Sequence, residues 1–153
     1  MTSVLAMAGR PEDWNFPLFV HVLGAAILVG GLLTGASTLA YARGDTKFLR
    51  LGYWTLLAVA LPGLVIMRIG AEWIYRTSIY DDVEDEPTWI MIGGVTADLG
   101  GALFLVSLAV GGFGIYRLRE GKGQGLLKAT MVIGLILLAA YVVAVWAMAG
   151  KPD

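Results

Sequence analysis

The chain has 153 residues, of which 58% are hydrophobic and only 15% are charged, and its formal net charge is −1. Soluble domains carry about 25% charged residues, so this composition indicates a protein embedded in lipid. The chain has no cysteine, which excludes disulfides, thiolate metal sites and cysteine nucleophiles. Its lysines and arginines form no aromatic-rich basic patch, so we expect no nucleic-acid partner.

Four long apolar stretches follow one another along the chain, at about residues 16–42, 51–75, 88–116 and 129–150. Each is near or above the roughly 20 residues that a helix needs to cross the hydrocarbon core of a bilayer. A backbone in lipid must satisfy its own hydrogen bonds, and strand-type alternation is absent, so each stretch is predicted to be helical. The pattern predicts an all-α fold, a four-helix transmembrane bundle, with residues 1–153 as a single integral membrane domain.

The three connectors between these spans differ in charge. The first (ARGDTKFLR, 42–50) and the third (YRLREGKGQGLLK, 116–128) are basic, whereas the second (RTSIYDDVEDEP, 76–87) is acidic. Lysine and arginine in short loops mark the cytoplasmic side, so both termini and the acidic loop are predicted to be extracytoplasmic. The expected location is the inner (plasma) membrane of a bacterium.

Aromatic rings cluster near both ends of the spans, as they do in the interfacial belts of membrane proteins. The rings expected to form the belt at the end of the basic connectors are Tyr41, Tyr53, Trp54 and Tyr116.

Small residues and one proline predict how the helices pack. Glycines repeat in the first and third spans, including Gly31-x-x-x-Gly35, and small residues allow transmembrane helices to approach closely. Spans one and three are therefore predicted to pack as a tight pair. Pro62 lies inside span two, where it removes one backbone hydrogen bond and predicts a kink.

A polar cluster is predicted inside the spans, in the half nearer the acidic loop. Its members are His21, Arg68, Glu72 and Asp98. Charged side chains within a span are costly and mark function by default. Arg68 and Glu72 are four residues apart and can pair on one helical face. The alternative for Arg68 is an ion pair with Asp98 that joins spans two and three.

The cluster leaves several kinds of site open. His21, Glu72 and Asp98 combine one imidazole with two carboxylates, a donor set for a hard or borderline metal ion. A single axial ligand, His21, is enough for five-coordinate haem b. A sixth ligand would be a methionine, with Met67 and Met91 as the candidates, or a second His21 across a dimer. The cluster can equally be structural and hold the helices together.

Short motifs of the chain resemble known families of membrane proteins. The stretch LFVHVLGAAILVGGLL around His21, the LPGL of span two and the closing AVWAMAGKP resemble a family of small bacterial four-helix integral membrane proteins of unknown function. The opening helix is also distantly similar to the copper-resistance CopD family and to the haem-binding protoporphyrinogen oxidase family HemJ. For the HemJ-like enzymes, the resemblance implies that His21 is a haem ligand.

The chain shows no clear catalytic signature, because it lacks a phosphate-binding glycine loop and a recognisable serine–histidine–acid grouping. The first functional expectation is a small accessory or structural subunit of a membrane assembly, whose partners are the lipid bilayer and a larger complex or a homo-oligomer. The second is a redox membrane protein that binds haem or a metal ion through His21. The third is a proton-linked transporter or channel, because Asp98 is predicted near midplane depth, where transport sites lie.

Overall fold

The computed structural model describes residues 15–77 and 88–150, and most of the acidic connector and both termini lie outside the described residues. The elements in chain order are α1 (Asn15–Tyr41), α2 (Thr46–Thr55), a π-helical segment (Leu56–Ala60), α3 (Leu61–Thr77), α4 (Thr88–Arg117), a 3₁₀ turn (Leu118–Glu120) and α5 (Gln124–Gly150). The segments α2, π and α3 are continuous and form span two.

The predicted all-α class is confirmed for the described residues. Four helical stretches are long and apolar enough to cross a membrane: Asn15–Tyr41, Thr46–Arg76, Ile90–Glu120 and Gln124–Gly150. The first and third connectors lie together at one end of the bundle, which we call the basic end. The opposite end, where α3 ends and α4 begins, is called the acidic end. Which end faces the cytoplasm stays a prediction.

Span two begins at Thr46, earlier than the predicted residue 51, because the basic connector starts the helix itself. The side-chain oxygen Oδ1 of Asp45 accepts a hydrogen bond from the backbone N–H of Lys47 at 2.8 Å and caps the helix. Gly44 precedes this cap with a φ of +92°, a left-handed conformation that glycine adopts without steric cost.

The proline in span two is accommodated by a wider helical turn. Pro62 has no backbone N–H, and its ring crowds the carbonyl four residues earlier. The preceding segment, Leu56–Ala60, is π-helical, and the N–H of Leu61 donates to the carbonyl of Leu56, five residues back. A π turn thus precedes the proline, and the predicted kink of span two stays a prediction.

The helices pack in antiparallel pairs around α1. Helix α1 packs against α3, α2 and α5, and α4 packs mainly against α5, with a smaller contact to α2. Contact between α1 and α4 is at most marginal, so the predicted tight pairing of spans one and three is wrong. Glycines indicate that a close neighbour exists, but they do not identify it.

The glycines of α1 instead form a seam with span two. Along this seam, the facing positions are His21 with Gly70, Gly24 with Met67, Leu28 with Gly63, Gly31 with Ala60 and Gly35 with Leu56. A Cβ atom added at Gly31 would lie 2.6 Å from the backbone nitrogen of Ala60. The two backbones are therefore nearly in contact, and this seam fixes where His21 lies.

Hydrogen bonds hold span three to its neighbours nearer the basic end. The hydroxyl of Tyr53 donates to the carbonyl of Leu108 at 3.1 Å, and the hydroxyl of Thr130 donates to the carbonyl of Ser107 at 3.1 Å. Tyr53 is buried, so its predicted place in an interfacial belt is wrong. The ring fits inside because Gly111 and Gly112 on α4 leave room for it.

Candidate functional site

His21 lies on the face of α1 that packs against α3, near the acidic end. Its Nδ1 atom lies 3.0 Å from the carbonyl oxygen of Met67. A carbonyl oxygen only accepts, so Nδ1 carries a proton, and in the neutral imidazole the lone pair is then on Nε2. His21 therefore faces the bundle, and Gly70 opposite it leaves space for the backbone of α1.

The two candidate methionines lie in different environments. The side chain of Met67 is only 4% exposed and is part of the core. Met91 is 55% exposed on α4. The described contact of His21 is with the main chain of Met67, and a role for either sulfur as a cofactor ligand stays a prediction.

Arg68 and Asp98 form the ion pair that the sequence offered as one alternative. Nη1 of Arg68 lies 2.6 Å from Oδ1 of Asp98. Arg68 is eight residues from Arg76, and Asp98 is eight residues from Ile90, which are the acidic-end limits of their candidate spans. At 1.5 Å per residue both groups lie about 12 Å inside their spans, at one common depth.

This ion pair lies on the surface of the bundle. The side chain of Arg68 is 46% exposed and that of Asp98 is 65% exposed. Within a span, charged side chains almost always face other protein or water, because exposure to hydrocarbon is costly. If these helices cross a membrane, the exposed part of the pair faces lipid, water or other protein.

The helix arrangement explains why the pair is exposed. Helices α3 and α4 have at most marginal contact with each other. They approach at Leu64 and Gly101, where a Cβ atom added to the glycine would lie 3.7 Å from Cδ1 of the leucine. About one turn nearer the acidic end, Arg68 and Asp98 bridge the gap between the two helices.

Glu72 has a different partner from the one first considered. Its Oε1 atom lies 2.8 Å from Nε of Arg76, one turn further along α3, whereas Arg68 pairs with Asp98. Arg68, Glu72 and Arg76 line a shallow, open depression on α3 together with Ile69 and Trp73. Within the depression Glu72 pairs with Arg76, whereas Arg68 pairs with Asp98 on α4, which does not line the depression.

The structure does not assemble the predicted metal ligands into one group. Within residues 15–77 and 88–150, no three histidine or carboxylate side chains come together as a metal site requires. His21, Glu72 and Asp98 all belong to that part of the chain. His21 is engaged at the α1–α3 seam, and the two carboxylates pair with separate arginines.

Tyr141 is a polar residue that the sequence reasoning did not single out. It lies on α5, it is buried, and its hydroxyl has no hydrogen-bond partner among the described residues. A Cβ atom added at Gly100 would lie 3.1 Å from that hydroxyl oxygen. A tyrosine in the interior of a span, away from both interfaces, was the available signal for it.

Comparison of the chain with protein-family models, with curated proteins and with solved structures finds no match. The class of the protein is described by its own fold. It is a helical bundle with four candidate transmembrane helices and an ion pair on its surface. The family resemblances stay predictions.

Proposed function

We propose that this protein is a small, non-enzymatic subunit of a membrane assembly that binds its partner through the exposed surface around the ion pair. We call this surface the Arg68–Asp98 face; its exposed residues are Val65, Arg68 and Ile69 on α3 and Met91, Gly94, Val95, Asp98 and Ala102 on α4.

The observation that carries this proposal is the exposure of an ion pair well inside two candidate spans. A charged side chain placed toward hydrocarbon costs about 2.5–3.5 kcal/mol at the centre of a span. A partner helix with polar groups at the same depth removes that exposure and replaces lipid with hydrogen bonds. The remainder of the face is apolar or small, as is typical of contacts between transmembrane helices.

A photo-crosslinking amino acid tests this proposal in native membranes. Placed at Val95 on the Arg68–Asp98 face, it is expected to give a discrete crosslinked protein product. The matched control is Val143 on α5, a similarly exposed valine near the same end of the bundle, which is expected to give only lipid adducts. Lipid adducts alone from Val95, or the same products from both positions, would contradict the proposal.

A second candidate function, haem binding through His21, is favoured by the His21–Met67 hydrogen bond. Histidines that bind metals commonly donate their other ring N–H to a carbonyl, which orients the free nitrogen. In haem b, one axial histidine suffices, and His21 with Nε2 free fits that role.

This second candidate predicts a Soret absorption band in protein purified from native membranes. His21→Ala is expected to abolish the band, whereas Met91→Leu on the exposed face of α4 is expected to retain it if His21 is the only axial ligand. A colourless wild-type protein with no bound haem would eliminate this candidate.

A further inference from the structure

We infer that the partner at the Arg68–Asp98 face is a second copy of this chain, related by a two-fold axis along the membrane normal. In this arrangement, Arg68 of each copy also contacts the Asp98 of the other copy. The inference rests on the proposed function, because it names the partner that the face binds.

The charges of the Arg68–Asp98 face are complementary to those of a second copy. A face that carries one cation beside one anion is complementary to itself after a half-turn, which is what a two-fold interface requires. The existing contact uses one guanidinium nitrogen and one carboxylate oxygen, Nη1 and Oδ1. A guanidinium has five N–H donors and a carboxylate accepts at two oxygens, so each group keeps capacity for a second pairing. Two copies close a four-charge ring with no net charge.

The common depth of Arg68 and Asp98 in the membrane also favours a second copy. Two copies inserted in the same direction are related by an axis along the membrane normal, and rotation about this axis leaves every atom at its depth. Arg68 and Asp98 are each eight residues from the acidic-end limit of their spans and are bonded to each other. Each therefore meets its counterpart at the same level. A different partner would need its own complementary charges at this one depth.

Small residues on α4 leave space for α4 of a second copy to approach closely. Gly94 and Ala102 lie one turn on either side of Asp98, and both are exposed. A Cβ atom added at Gly94 would meet no atom within 4 Å, whereas the other glycines of α4 each face a neighbour inside the bundle. Small residues flanking Asp98 thus allow α4 of a second copy to approach until the charged groups touch.

Charge exchange tests this inference directly. Each variant, Arg68→Asp or Asp98→Arg, is produced with two different affinity tags. In one set of membranes the two tagged forms of a single variant are coexpressed, and in another the two variants are coexpressed with different tags. Differently tagged Arg68→Asp chains are expected not to copurify with one another, and the same holds for Asp98→Arg chains. Coexpressed Arg68→Asp and Asp98→Arg chains are expected to copurify, because each charge then meets its opposite across the interface.

A second variant separates association from folding. Gly94→Leu changes a position without neighbours in the bundle, so the monomer is expected to fold normally. We expect it to reduce copurification of two tagged copies at least tenfold. Gly30→Leu on α1, which also has no neighbour within 4 Å, is the control and is expected to leave copurification unchanged.

The outcomes distinguish this inference from the proposed function. If tagged wild-type copies do not copurify but Val95 crosslinks to a different protein, the second copy is the wrong partner and the proposed function stands. If Val95 gives only lipid adducts, lipid covers the face and both are wrong. Unchanged copurification in Gly94→Leu would also overturn the inference.

Discussion

Replacing Gly31 with valine is expected to lower the free energy of unfolding by about 3 kcal/mol, the upper part of the usual range for overpacking. The reason is the contact between backbones in the seam of α1 with span two, where an added Cβ atom would lie 2.8 Å from Cα of Ala60. A backbone cannot rotate away as a side chain does, so the two helices must separate. The check is an equilibrium unfolding titration of the protein in a bilayer mimic.

Gly30→Val is the matched control for this prediction. Gly30 is the preceding residue of the same helix, yet an added Cβ atom there meets nothing within 4 Å. The control is expected to change stability by no more than about 0.5 kcal/mol. Equal effects of the two substitutions would show that the seam of α1 with span two does not decide the packing of the bundle.

Asp98→Asn is expected to destabilise the protein more than Arg68→Gln, although both remove the same ion pair. A carboxyl group that loses its cation can be neutralised by a proton, whereas a guanidinium stays charged. Asp98→Asn therefore leaves an uncompensated cation inside a span, at a cost of about 2–3 kcal/mol. Arg68→Gln is expected to cost about 1 kcal/mol, close to the value of a lost hydrogen bond.

The double variant completes this prediction. Arg68→Gln combined with Asp98→Asn is expected to be more stable than Asp98→Asn alone, because no charge is left in the span. Glu72→Gln is the control, since it breaks the exposed Glu72–Arg76 pair and is expected to cost no more than about 0.5 kcal/mol. If the stability losses of the two single substitutions simply add in the double variant, Arg68 and Asp98 do not stabilise each other, and the prediction is contradicted.

The candidate site was partly predictable. Opposite charges in neighbouring spans allowed the Arg68–Asp98 pair to be proposed from the sequence, and the structure confirms it. Gly24 and Gly31 share one face of α1 with His21, so the direction of His21 could also be predicted from the sequence. The pairing of Glu72 with Arg76 was missed, because Arg68 and Arg76 both lie four residues from that carboxylate along one helix.

Tyr53 and Tyr141 show why sequence position alone does not predict the surroundings of some polar residues. Both rings are buried, although Tyr53 was predicted to be interfacial and Tyr141, inside span four, was not singled out. Their burial depends on glycines of another helix, Gly111 and Gly112 for Tyr53 and Gly100 for Tyr141. Such long-range fits become visible only when the helices are placed side by side.

The residues alone were enough to define four apolar helices and to locate the charges within them, because crossing a bilayer depends on local hydrophobicity summed over about 20 residues. Tertiary structure decided which helices are neighbours. It placed span two against α1, left α3 and α4 apart at the acidic end, and thereby exposed the Arg68–Asp98 pair. The physical reason is that close packing depends on the rotation of several helices at once, and no single helix carries that information.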